Sequence, residues 1–171
     1  MSDTEPQIPS LPPQLLDITD PAPKPGGEKQ TAKRAINVLL EKGRGFHLPT
    51  ARERDALLVA FAMKRQVLYG AAFDIVRVER DINLSNAETI AANLDAITIF
   101  EIKSTNKLRT RADFGEYFFD LTTAELLVAQ SLNERYKFAF VNIISETWLE
   151  LTLQEVFAKA RKIYPKWAIS F

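Results

Sequence analysis

Apolar residues recur along this chain at two spacings, three to four in some stretches and two in others, and the changes of period mark out its elements. Ala32, Ala35, Ile36, Leu39 and Leu40 predict a helix over 29–42, which Gly43 stops. After a loop over 43–49, Thr50-Ala51-Arg52-Glu53 has the spacing of a capping box and opens a second helix. Leu57, Ala60, Phe61, Lys64 and Leu68 give that helix its faces, and Gly70 ends it. Residues 71–78, Ala-Ala-Phe-Asp-Ile-Val-Arg-Val, are rich in β-branched and aromatic side chains and read as a strand. A polar interval over 81–93 precedes a second strand over 96–104, and the two form an antiparallel hairpin, long or interrupted. Residues 107–111 make a basic connection and Tyr117-Phe118-Phe119 a brief extended piece. Thr122-Thr123-Ala124-Glu125 repeats the capping pattern at the head of a helix that runs through Leu126, Leu127, Ala129 and Leu132. A strand over 136–144 and a helix after Thr152-Leu153-Gln154-Glu155 complete the chain. Two helices, two strands, then helix, strand and helix pack most naturally as an α/β three-layer sandwich, a central mixed sheet flanked by helices.

Composition adds bounds to that picture. A chain of 171 residues suits one domain with a sizeable core, here 29–171. Residues 1–28 hold Pro6, Pro9, Pro12, Pro13, Pro21, Pro23 and Pro25 and then Gly26-Gly27, which cannot sustain helix or ladder hydrogen bonds, so a disordered Pro-rich tail is expected there. The absence of cysteine excludes disulfides, thiolate zinc sites and cysteine nucleophiles. No apolar run approaches the roughly 18 residues of a spanning helix, and the first residues lack the charged and apolar regions of a secretory leader. A cytoplasmic protein with no membrane partner is expected. Formal net charge is zero, yet residues 29–80 carry eleven Lys/Arg against five Asp/Glu, and residues 1–28 carry one against five. A basic body is compatible with a phosphate-rich partner, and the neutral total argues against indiscriminate coating of nucleic acid. The six glycines never fall into a phosphate-loop spacing.

The candidate chemistry lies on the strand Ile97-Thr98-Ile99-Phe100-Glu101-Ile102-Lys103-Ser104-Thr105. Side chains alternate faces along a strand, so Glu101 and Lys103 share one face while Phe100 and Ile102 occupy the other. A Glu-x-Lys triplet by itself is as common as an ion pair on a solvated strand. An apolar run before it, small polar residues after it and an acid-bearing strand upstream make metal-assisted hydrolysis the sharper reading. Magnesium takes hard oxygen ligands, usually one or two carboxylates with waters and substrate phosphate. The second acid is Asp74 or Asp95. At about 3.3 Å per residue, a straight strand sets Asp95 roughly 20 Å from Glu101, whereas hairpin pairing brings Asp74 beside it. Lys103 would then orient or deprotonate a water, or neutralise charge developing on phosphorus.

Phe73-Asp74 followed by Glu101-Ile102-Lys103 resembles the signature of the PD-(D/E)xK nuclease superfamily, with phenylalanine where the motif has proline. Phe73-Asp74-Ile75, Phe100-Glu101-Ile102-Lys103-Ser104-Thr105, Phe119-Asp120-Leu121-Thr122-Thr123-Ala124-Glu125-Leu126 and Tyr136-Lys137-Phe138-Ala139-Phe140-Val141 are similar, in that order, to the branch typified by the NO VEIN C-terminal domain. The likeness spans roughly 70–145, with Ala72-Phe73 where the branch has Gly-Tyr and a longer interval between Asp74 and Glu101. The resemblance implies a restriction-endonuclease-like fold, and it favours Asp74 over Asp95. It also implies Mg²⁺ dependence, with Mn²⁺ as a substitute, held by Asp74, Glu101 and the backbone carbonyl of Ile102. The activity it implies is hydrolysis of DNA phosphodiesters by Asp74, Glu101 and Lys103, with a restriction or defence system as the setting by analogy. Specificity would come from loops, a homodimer or a partner subunit. The competing expectation is a catalytically inactive module of the same fold that binds nucleic acid or protein within a larger assembly.

Other residues carry less. Lys107, Arg109 and Arg111 are candidate phosphate contacts, or an ordinary solvated loop. Glu53 is a further acid, although its place in the capping box favours a structural role, as do the positions of Glu125 and Glu155. His47, the single histidine, has no partners at ligand spacing and reads as structural or exposed, and Trp148 and Trp167 read as packing anchors.

Overall fold

The structure, a computed structural model, describes residues 27–164, so the body of the Pro-rich tail and Trp167 lie outside the described residues. Helix α1 (Gly27–Lys42) leads into a two-residue strand β1 (Phe46–His47), helix α2 (Ala51–Met63) and strand β2 (Ile75–Val78). A short helix α3 (Ala87–Ala91) and strand β3 (Ile97–Thr105) follow, then α4 (Thr123–Leu132), β4 (Tyr136–Asn142), β5 (Thr147–Leu151) and α5 (Leu153–Lys159). The five strands form one mixed sheet in the order β1-β2-β3-β4-β5, in which only the β3–β4 pair is parallel. Helix α4 supplies the crossover that a parallel pair requires.

The two faces of the sheet have separate cores. On one, Ile75, Phe100, Ile102, Ala139 and Val141 pack against Ala35, Val38 and Leu39 of α1. On the other, Val76, Ile97, Ile99, Tyr136, Phe138 and Phe140 pack against Leu57 and Phe61 of α2, Ile90 of α3, Val128 and Leu132 of α4 and Val156 of α5. Helices on both faces of a mixed sheet make three layers, the expected α/β architecture. All three Thr-x-x-Glu segments close as capping boxes, at Thr50, Thr122 and Thr152, with the Thr hydroxyl and the Glu carboxylate each accepting the other residue's N–H.

Several boundaries differ from expectation. Helix α2 ends at Met63, seven residues short of Gly70, because the chain turns through Lys64 and Arg65, the latter at φ 57°. Gly70–Ala72 is a single 3-10 turn and β2 starts only at Ile75, so Asp74 stands just ahead of the strand rather than inside it. The polar interval before β3 contains α3, whose Ile90 and Ala91 are buried. The expected loop over 43–49 contains β1. Strand β5 pairs with β4 through a four-residue turn and is an element the sequence reading lacked. Residues 117–119 join no strand.

Candidate active site

Strand β3 presents Glu101 and Lys103 on the face already occupied by Ile97 and Ile99, beneath α2 and α4. The antiparallel register couples Ile75 to Phe100, and one further step would set Asp74 opposite Glu101. That pairing is not completed: the Asp74 amide donates to the Phe100 carbonyl at 2.8 Å, one residue out of register, so the regular ladder ends at Ile75. Residues directly opposite in an antiparallel pair share a face. Asp74, Glu101 and Lys103 nevertheless lie near one another, since Glu101 feels the charges of both Asp74 and Lys103.

Beyond this point the two strands part. The next β3 amide, Ile102 N–H, donates to Asp74 Oδ2 at 2.8 Å rather than to a β2 carbonyl. The Phe73 carbonyl, which the register would set opposite Ile102, instead accepts from Arg54 Nη1 at 2.8 Å. The same guanidinium reaches the carbonyls of Gly70 at 2.8 Å and Asp74 at 3.1 Å, and it lies 4.1 Å over the Phe73 ring. From β4, the Tyr136 hydroxyl donates to the Ala72 carbonyl at 2.6 Å. Helix α2 and strand β4 thus pin the turn that delivers Asp74, with Arg54 taking carbonyls that a sheet would otherwise satisfy.

Lys103 Nζ donates to Glu101 Oε1 at 3.1 Å and to Glu125 Oε2 at 2.9 Å. Glu125, at the first turn of α4, is 4% exposed and its Oε2 also accepts the Thr122 N–H that caps the helix. Burial, followed by repulsion from Asp74, pushes the Glu101 carboxyl up to about 8, against the pull of Lys103. Burial likewise raises Asp74 above the usual carboxylate range, partly countered by the Ile102 N–H and by the charges of Lys103 and Arg54. For Lys103, burial opposes the ammonium, but Glu101 and Glu125 outweigh it and the pKa rises. Tyr136 is driven up by burial and by the three nearby carboxylates, so it stays a phenol and a donor. Among the described residues no three His, Cys, Asp or Glu side chains form a metal cage of their own. Two half-buried, mutually repelling carboxylates do fit a hard dication that keeps its waters and takes one or two protein acids.

The remaining candidates separate from this cluster. Asp95 sits on a 3-10 turn, largely exposed, paired to Arg80 at 2.7 Å. Glu53 is committed to the α2 cap and to His47 Nε2 at 2.9 Å, a contact that holds its carboxyl low. His47 on β1 is thereby a structural partner of α2. Trp148 packs at the edge of the α1-side core, as expected of an anchor. Lys107, Arg109 and Arg111 project from the loop after β3, and Arg111 pairs with Asp113 at 3.3 Å. Glu155 caps α5 through Thr152, a contact that, with the charge of Lys137, holds its carboxyl low.

Two members of the site went unread in the sequence, Glu125 and Arg54. Each has a signal. Residues 125, 128, 129 and 132 form the buried stripe of α4, which puts a glutamate on an apolar face. Arg54 stands three residues before Leu57 and seven before Phe61 on the buried stripe of α2. No family model, curated protein or solved structure matches this chain.

Proposed function

We propose that the chain is a magnesium-dependent, endonuclease-like domain of restriction-endonuclease-like fold that hydrolyses DNA phosphodiesters. The observation that carries this reading is the nearness of Asp74 and Glu101 where the strands diverge, both acids half-buried and raised, with a lysine beside Glu101. The order of the motifs along the chain supports it as well, since the Thr-x-x-Glu helix delivers Glu125 to the same lysine.

In this reading Asp74, Glu101 and the Ile102 carbonyl hold Mg²⁺, or Mn²⁺ in its place. The ion would make a bound water acidic and clamp the phosphate oxygens. Lys103, kept charged by two carboxylates, serves as the fixed cation that stabilises charge on the phosphate rather than as a proton acceptor. Glu125 orients that ammonium, and Arg54 and Tyr136 fix the backbone from which Asp74 projects. A homodimer or a partner subunit would supply target choice, with a restriction or defence setting by analogy. The second reading, an inactive module that keeps the fold, draws on the closed Glu101–Lys103–Glu125 arrangement, which balances the lysine without a metal.

A plasmid and single-stranded DNA incubated with Mg²⁺ or Mn²⁺ separate the two. The enzyme reading expects metal-dependent cleavage that Glu101→Ala and Lys103→Ala reduce by roughly a hundredfold or more. Equal cleavage by all three proteins would overturn it.

A further inference from the structure

The segment between β3 and α4, residues 106–122, folds back beside the site. Its base is fastened in three places. Asn142 Nδ2 donates to the Lys107 carbonyl at 3.2 Å, the Thr110 hydroxyl donates to the same carbonyl at 2.9 Å, and the Tyr117 hydroxyl donates to the Ser104 carbonyl at 2.7 Å. Phe140, which the parallel register sets opposite Lys103, carries the loop's aromatic packing: the Phe119 ring lies 4.8 Å from it, with Phe114 at 5.9 Å and Tyr117 at 6.1 Å. Burial of Tyr117 pushes its phenol up to about 12.

Between the two inward rings, Tyr117 and Phe119, stands Phe118, which is 71% exposed. Alternation in an extended piece directs it away from the packing that its neighbours make. The loop's charges divide in a related way. Asp113 accepts the Gly115 N–H and pairs with Arg111, and Glu116 pairs with Arg161 at 3.8 Å. Lys107 and Arg109 are exposed and have no acid partner among the described residues. An outward ring on a fastened loop and two uncommitted cations, four and six residues beyond Lys103, match a polyanion that also carries flat apolar groups. Single-stranded nucleic acid has that chemistry, because its bases are free to stack on an aromatic face while its phosphates meet cations. In a duplex the base faces are already stacked.

We propose that Phe118, with Lys107 and Arg109, forms a single-strand binding platform that stacks an unpaired base and leads its backbone to the Glu101–Lys103 strand. This rests on the nuclease reading for the fate of the bound strand, and not for the binding itself. The test is anisotropy of a labelled oligothymidylate, and of its duplex with oligoadenylate, in EDTA so that no cleavage intervenes. The wild-type chain binds the single strand more tightly than the duplex. Phe118→Ala weakens single-strand binding roughly tenfold and Phe118→Trp retains it, while leaving the melting temperature unchanged. Lys107→Ala and Arg109→Ala each lower affinity and reduce the salt slope by roughly 0.7. Unchanged affinity in Phe118→Ala, equal binding of the two substrates, or no binding of either overturns the proposal. Strand binding that depends on Phe118 without metal-dependent cleavage would sink the nuclease reading alone, and cleavage without that dependence would sink the platform alone.

Discussion

In the folded chain the Glu101 carboxyl titrates near 8, against about 4.3 in an unfolded chain, because burial and Asp74 disfavour its charge. The folded state therefore holds a proton that the unfolded state has released across that interval. Stability is greatest below the unfolded value, falls as pH rises from about 4.5 to 8, and levels off above it. Asp74, also raised, acts in the same direction. In metal-free buffer, thermal unfolding monitored from pH 5 to 8.5 is expected to show a falling melting temperature, reflecting a stability loss on the order of a few kcal/mol, and Glu101→Gln should flatten it. A wild-type curve that rises through that range would contradict the assignment. Arg54 belongs to the same scale. Its guanidinium satisfies three carbonyls of the turn that carries Asp74, so Arg54→Ala should cost about 2–4 kcal/mol in denaturant unfolding, with Arg54→Lys recovering only part because an ammonium lacks the planar fork. Asp74, Glu101 and Lys103 were legible as a set because strand parity and hairpin pairing are local rules. Glu125 and Arg54 were not read, since both occur where a capping or a helical reading already accounts for them, and only the fold reveals what each touches.

Elements that announce themselves by period or by a cap were read from the chain; those held by tertiary pairing were not. The three Thr-x-x-Glu caps are satisfied within four residues, so the pattern suffices. Strand β1 has two residues, too few to show alternation, and exists because Phe46 and His47 pair with Arg77 and Val76. In β5, Leu149 and Leu151 pack on one face and Trp148 on the other, an alternation hidden behind the apolar end of β4 and a short turn. Helix α3 is a five-residue turn of helix capped by Asn86, with its apolar residues buried by tertiary contact. The caps also separate stability from chemistry. Thr152→Ala should cost about 1 kcal/mol and leave cleavage unchanged, because its box serves α5 alone. Thr122→Ala should cost a similar amount and also slow cleavage, since losing the hydroxyl that accepts the Glu125 N–H loosens the first turn of α4, from which the Glu125 carboxylate holds Lys103. Paired unfolding and cleavage measurements on the two variants check this, and equal effects on cleavage would argue against a role for Glu125.

At the scale of the fold, among the described residues, one helix covers one face of the sheet and four cover the other, and the polar cluster occupies the more heavily covered face where β2 and β3 diverge. A sheet that simply continued its ladder would pair the Ile102 N–H with the Phe73 carbonyl and leave Asp74 unable to accept it. In the proposed function, this divergence makes Asp74 and Glu101 one divalent-cation site. Mn²⁺ binding followed by electron paramagnetic resonance tests it most directly, with Asp95→Asn as the control for an acid that lies elsewhere and pairs with Arg80. A bound ion is expected in the wild type and in Asp95→Asn, with affinity reduced at least tenfold in both Asp74→Asn and Glu101→Gln. Wild-type affinity in Asp74→Asn would contradict it.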